Sequence, residues 1–107
     1  FKAHYIGTDS RSGSRQAAEH LIRLGHRRIA FAQGPVGDYT ADSRLAGYQD
    51  AMREAGLSTE GLVLAGDAWG REAGRRAGAG VLALQPRPTA VMAANDPMAF
   101  GLYLELQ

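Results

Sequence analysis

Four side chains of this sequence have the chemistry needed to hold a small polar molecule. The guanidinium group of Arg44 can donate two parallel hydrogen bonds to neighbouring hydroxyls or to a carboxylate. The amide of Asn95 offers both a donor and an acceptor. The ring of Trp69, the one tryptophan, suits the C–H surface of a sugar or a purine ring. Asp9 adds a carboxylate, so the predicted chemistry is non-covalent binding.

Each of these side chains also has an ordinary structural explanation. Arg44 could be a solvated charge on a helix, and Trp69 could belong to the core. Asn95 could be a turn residue at a strand-to-helix junction, where asparagine is common. Asp9 could cap a helix. The choice depends on the elements that position them.

Asn95 is positioned by the stretch from Thr89 to Gly101. The apolar run 89–94 predicts a strand buried on both faces. Pro97 suits the first position of a helix, which makes Asp96 the predicted N-cap. Asn95 would then lie at the carboxyl end of a strand, where open parallel sheets bind ligands.

A strand followed by a helix occurs four times along the chain. We predict strands over 2–7, 29–32, 62–65 and 89–94, and helices over 14–24, 41–55, 69–84 and from 97 onward. Repeated units of this kind imply an α/β fold, an open parallel sheet with helices on both faces. Glycines spaced by four in the third helix either weaken it or permit close packing against a neighbour. The first strand is weak, which predicts a boundary near Gly25–Arg28.

Composition excludes several classes of protein. The 107 residues suffice for one domain or less. A net charge of +1 gives no general electrostatic attraction to nucleic acid or to a membrane surface. No apolar run approaches the ~20 residues of a membrane span. There is no cysteine, and no cluster of His, Asp and Glu has metal-binding spacing. Nucleotide-binding glycine motifs and the nucleophile elbow are also absent from the sequence.

Four segments, taken together, resemble the lactose-repressor (LacI/GalR) family of bacterial transcription regulators. They are Gly-Thr-Asp-Ser at 7–10 with Gly13, Leu-Gly-His-Arg-Arg-Ile-Ala at 24–30, Ser-Arg-Leu-Ala-Gly-Tyr at 43–48, and Pro-Thr-Ala-Val at 88–91 leading into Asn-Asp-Pro-Met-Ala-Phe-Gly at 95–101. Their order and spacing extend across nearly the whole chain. The second segment separates this family from the periplasmic sugar-binding proteins that share its fold.

The resemblance implies a Rossmann-like core of the type I periplasmic-binding-protein kind, here truncated. In the family, two subdomains enclose the effector in a cleft. Residues 1–25 would be a remnant of the N-terminal effector-binding subdomain, and 26–107 the first part of the C-terminal one. Phe1 at the start and an apolar helical pattern that reaches Gln107 also predict that both ends are cut. Operator DNA would be read by a helix-turn-helix headpiece that has no counterpart in this sequence.

The resemblance also implies roles for individual residues. Positions that would contact effector are Asp9, Asp38, Thr40, Arg44, Trp69 and Asn95. The last helix would contribute to a homodimer through Met98, Phe100 and Tyr103. The alternative is that this helix packs against the missing subdomain and makes no dimer contact.

The resulting prediction is the cytoplasmic effector-sensing core of a LacI-type regulator, which needs no cofactor, metal or membrane. Its effector would be a sugar in preference to a purine. The alternative is a periplasmic-type sugar-binding protein that feeds a transporter. A third reading, an α/β enzyme that uses Asp9 or Asp96 as a general base, lacks a supporting motif, so no enzymatic activity is predicted.

Overall fold

The computed structural model describes residues 5–7 and 11–107, with side chains from residue 11 onward. Four strands alternate with four helices in this part of the chain, as the sequence predicts. The elements are β1 (Tyr5–Gly7), α1 (Arg11–Arg23), β2 (Ile29–Pro35), α2 (Tyr39–Glu54), β3 (Val63–Gly66), α3 (Arg71–Ala83), β4 (Ala90–Ala93) and α4 (Asp96–Leu106).

The strands form one parallel sheet in the order β1-β4-β2-β3. The two central strands pair in register from Ile29 opposite Ala90 to Ala32 opposite Ala93, and both are buried along these residues. A strand covered on both faces must be apolar throughout, which explains the uninterrupted runs Ile-Ala-Phe-Ala and Ala-Val-Met-Ala. The predicted α/β sheet with helices on both faces is confirmed.

The helices pack as two pairs, α1 with α2 and α3 with α4. In each pair, the two helices approach most closely where one of them has a glycine. A Cβ atom on Gly74 would overlap the carbonyl oxygen of Met98, and one on Gly101 would overlap the carbonyl oxygen of Arg71. The prediction that glycines in the third helix allow close packing is therefore confirmed at Gly74. The same device joins the first pair, where Gly47 lies against the backbone of Arg11.

Among residues 11–107, the largest fully buried side chain is that of Tyr48, which connects α2 to the sheet. Its hydroxyl donates a hydrogen bond of 2.6 Å to the carbonyl oxygen of Ile29, and its ring centroid lies 5.1 Å from that of Phe31. Burial raises the pKa of the Tyr48 hydroxyl well above its ordinary value, so the group remains a neutral donor.

The expected boundary near Gly25 does not separate two packed units in the described part of the chain. Strand β1 pairs with β4, and α1 packs along α2, so residues before and after Gly25 share one sheet and one helix layer. A predicted weak strand is thus paired within the same sheet as the others. The assignment of 1–25 and 26–107 to the two subdomains of the family remains a prediction.

Candidate functional site

Arg44 lies at the carboxyl edge of the sheet because α2 begins just beyond the end of β2. The helix is capped by Asp38, whose Oδ1 accepts a hydrogen bond of 3.0 Å from the amide of Ala41. Nη1 of Arg44 donates a hydrogen bond of 2.6 Å to the carbonyl oxygen of Ala94, the residue that follows β4. The guanidinium group is therefore held directly above a strand end.

Trp69 lies beside this guanidinium group. The Cζ atom of Arg44 is 5.2 Å from the centroid of the Trp69 ring, within the range of a cation–π contact. The ring packs against Gly34 of β2, where an added Cβ would come within 2.8 Å of Cζ3. The absence of a side chain at Gly34 thus makes room for the ring at the sheet edge.

The start of α3 differs from the prediction in a way that matters for this ring. The spacing of Trp69 with Ala73 and Ala77 predicts a helix from residue 69, but α3 begins at Arg71 and Gly70 is its N-cap. Because Trp69 precedes the helix, its ring is not part of the helical face that packs on β3. The ring instead contacts Gly34 of β2 and Arg44. Partial burial fits a side chain that belongs both to the core and to the site.

The backbone of Arg44 is held from the side of α1. Ser14 is fully buried, and its hydroxyl donates a hydrogen bond of 2.6 Å to the carbonyl oxygen of Arg44. Along the same contact, Asp50 forms ion pairs of 2.8 Å with Arg11 of α1 and with Arg53 of its own helix. The hydrogen bond from the Arg11 guanidinium is the main reason why the pKa of the Asp50 carboxyl lies below its ordinary value.

The predicted helix cap is wrong by one residue. Asn95, and not Asp96, caps α4: it has extended backbone angles, and its Oδ1 accepts a hydrogen bond of 2.9 Å from the amide of Met98. Asp96 is the first residue of the helix, where its charge favours the positive end of the helix dipole. The side-chain oxygen of Asn95 therefore has a structural partner.

The other predicted contacts are distributed as follows. Asp9 lies outside the described residues. Thr40 is exposed in the first turn of α2, next to the cap residue Asp38. Met98 was predicted to contribute to the homodimer, but it is 1% exposed and belongs to the core, so its side chain does not reach a partner surface. Phe100 and Tyr103, at 50% and 46% exposed, lie on the outside of α4.

Three residues near this edge of the sheet, Ser14, Gln33 and Gly34, were not predicted from the sequence. A Gly-Pro pair suggests the end of a strand, but β2 continues through it to Pro35. The available signal was a polar residue, Gln33, at the end of an otherwise apolar strand. Ser14 gave no signal, because its role depends on the packing of α1 on α2.

Among residues 5–7 and 11–107, no group of His, Cys, Asp and Glu could hold a metal ion. In the same part of the chain, no helix combines the length and the apolar character needed to cross a membrane.

Comparison with known proteins places this geometry in a family. A family model described as a periplasmic binding protein-like domain matches residues 18–107. The repressor PurR of Klebsiella pneumoniae (strain 342), described as an HTH-type transcriptional repressor, is 43% identical over 86 residues, which are 79% of this chain and 25% of PurR. The chain thus spans about a quarter of that relative's length.

Solved structures agree with these matches. A regulatory protein of the LacI family from Chloroflexus aggregans is 40% identical with a TM-score of 0.84, over 98% of this chain and 38% of that one. The transcriptional regulator CelR, in a complex with cellobiose, is 37% identical with a TM-score of 0.85, over 97% of this chain and 32% of that one.

Proposed function

Because this chain belongs to the LacI family of bacterial transcriptional regulators, through its periplasmic binding protein-like domain, we propose that it is part of the effector-binding core of such a regulator. The effector would be a small molecule held between two subdomains, of which 26–107 form the first part of the second. DNA would be bound by a headpiece outside this sequence. The relatives named above are regulators and not enzymes, and we infer the same for this protein, with the cytoplasm as its compartment.

The observation that carries the proposal is the contact between Arg44 and Trp69 at the carboxyl edge of the sheet. The two residues are 25 positions apart and come from different elements, yet the guanidinium carbon lies 5.2 Å from the ring centroid. The hydrogen bond to Ala94 orients the same guanidinium group over β4. A planar donor next to an aromatic face is suited to a ligand that has hydroxyl groups on its rim and C–H groups on its face.

We favour a sugar as the effector over a purine. Hydroxyl groups match the N–H donors of the Arg44 guanidinium, one nitrogen of which also bonds the carbonyl oxygen of Ala94, and the C–H face of a pyranose matches the Trp69 ring. CelR, a relative with the same fold, is in complex with the disaccharide cellobiose. Asp9, Thr40 and Asn95 remain predicted contacts. For Asn95 the amide nitrogen is the group we assign to the ligand, because its oxygen caps α4.

The regulation would follow from closure of the two subdomains on the effector. A ligand that binds the closed form more tightly shifts the population toward it, and the altered subdomain angle changes how a homodimer presents its headpieces. Phe100 and Tyr103 are the residues we assign to the dimer contact, since both are half exposed on α4. The alternative, a periplasmic binding protein of a transporter, is not favoured, because the matched relatives are transcription regulators.

The test is Arg44→Lys, which keeps the charge but removes the planar fork. We expect sugar binding, measured by isothermal titration against a panel that includes cellobiose, to weaken at least tenfold, about 1.4 kcal/mol. Arg53→Lys, an exposed arginine of the same helix, is the matched control and should leave the affinity unchanged. Equal affinity of the Arg44→Lys variant and the parent protein for the sugar that binds would remove Arg44 from the site.

A further inference from the structure

Arginines cluster at the amino edge of the sheet, opposite the carboxyl edge that carries the proposed effector site. Arg28 directly precedes β2, and Arg87 lies shortly before β4, the neighbouring strand. Arg23 is the last residue of α1, and Arg27 follows it in the connection to β2. We call these four residues the amino-edge cluster. Because β2 and β4 are parallel and adjacent, the residues that precede them share one edge of the sheet.

The cluster is carried by two segments, 23–28 and 84–89, which contain no aspartate or glutamate. They lie side by side, because the amide of Thr89 donates a hydrogen bond of 3.0 Å to the carbonyl oxygen of Arg28. Nε of Arg28 in turn donates a hydrogen bond of 2.6 Å to the carbonyl oxygen of Pro86. A carbonyl group has no net charge, so this bond orients the guanidinium group without neutralising it.

Helix ends explain only part of the cluster. Nη1 of Arg27 donates a hydrogen bond of 3.1 Å to the carbonyl oxygen of Ile22, in the last turn of α1. Nη2 of Arg87 donates one of 3.4 Å to the carbonyl oxygen of Leu82, near the end of α3. Such a helix end favours cations, and it carries about half a unit of negative charge. The two ends therefore offset only about one of the four positive charges.

The acidic residues near the cluster do not neutralise the remainder. Glu19 and Glu54 line the same shallow groove as Arg23, but both form ion pairs with Arg15. Glu60, which precedes β3 at the same edge, offsets one charge at most. In the described part of the chain, the first three arginines of the cluster form no ion pair. The edge thus presents roughly two uncompensated positive charges.

We propose that the amino-edge cluster binds an acidic segment of a partner protein, one that also carries an apolar side chain. Guanidinium groups match carboxylates because they donate parallel hydrogen bonds as well as charge. Leu24, between Arg23 and Arg27 in the sequence, is 53% exposed and provides the apolar contact. A phosphate backbone has no use for this side chain. Neither segment of the cluster contains an aromatic residue on which a nucleic-acid base can stack.

The test measures fluorescence anisotropy of a fluorescein-labelled peptide, made of glutamates around a central leucine, during titration with the intact protein. We expect saturable binding that weakens between about 0.1 M and about 1 M NaCl, because the Debye length falls from ~10 Å to ~3 Å. Arg23→Gln together with Arg27→Gln should weaken binding about tenfold or more, through loss of two charge-assisted contacts. Arg71→Gln, an exposed arginine at the opposite edge, is the matched control and should bind normally.

Further variants separate binding from stability and from the effector site. Arg23→Gln alone removes an exposed side chain, so it should weaken binding and leave the melting temperature unchanged. Leu24→Ser should weaken binding of this peptide but not of a version with serine in place of leucine. Arg44→Lys should have no effect, whether or not Arg44 binds effector.

Competition identifies the class of partner. Unlabelled peptide should displace the labelled one at lower concentration than a mixed-sequence DNA duplex or pyrophosphate does. The proposal is overturned if the peptide does not bind at about 0.1 M NaCl, or if the double variant binds it as well as the parent protein does. It is also overturned if the duplex or pyrophosphate is the stronger competitor, which would assign the cluster to phosphates.

Discussion

Substitution of Gly34 by alanine should disturb the Arg44–Trp69 contact without touching either residue. The Cβ atom would lie 2.8 Å from Cζ3 of Trp69 and 3.0 Å from Cη2. Carbon atoms in contact usually lie about 3.5–4.0 Å apart, so the ring must withdraw by roughly 0.7–1.2 Å. The backbone at Gly34 is not in the left-handed region, so alanine itself is tolerated there.

The expected loss of stability is about 1–3 kcal/mol. Overpacking costs typically ~1–3 kcal/mol and a weakened cation–π contact ~0.5–1 kcal/mol. Replacement of a glycine within a strand returns ~0.5–1 kcal/mol. In a domain of this size, each 1 kcal/mol lowers the melting temperature by roughly 4–8 °C. Since Trp69 is the one tryptophan, its fluorescence reports the ring displacement directly.

The assay therefore combines thermal unfolding with tryptophan emission, and sugar affinity should fall together with the emission change. Gly70→Ala is the control for the emission change, because an added Cβ there meets nothing within 4 Å; its cost in stability is that of alanine in place of glycine at the N-cap of α3. In a Trp69→Leu background, Gly34→Ala should cost little, since the smaller side chain leaves space for the methyl group. A clash with the Trp69 ring is refuted if Gly34→Ala costs as much in that background as in the parent protein, or if it leaves the emission of the parent protein unchanged.

Two further predictions concern stability. Asn95→Ala should lower the free energy of unfolding by about 0.5–2 kcal/mol in denaturant titrations, because α4 loses its cap; Asp96→Ala should cost less, and an equal or larger cost would restore Asp96 as the cap. The lowered pKa of Asp50 implies stabilisation that is present above the unfolded value, about 3.9, and lost as the pH falls through the lower folded value. Asp50→Asn should therefore flatten the acid limb of the stability curve, and an unaltered limb would exclude Asp50 as its source.

Most of the fold was predictable because its signals are local. Apolar runs between turn residues marked the strands, and glycines such as Gly25 and Gly56 marked helix ends; both have positive φ, as a helix-ending glycine requires. The repeated order of strand and helix then implied a parallel sheet without knowledge of any contact. Arg44 drew attention because it lies close to a strand end, but the resemblance to the LacI/GalR family was needed to favour a binding role for Arg44 and Trp69.

The details of the site depended on contacts between residues distant in the sequence. Whether Trp69 joined a helix or met Arg44 was decided by where α3 begins and by the space at Gly34. The cap of α4 was decided by backbone angles at Asn95, which residue type does not determine for two adjacent capping residues. The burial of Gln33 could be recognised only after the sheet had been covered, because burial is a property of the packed chain.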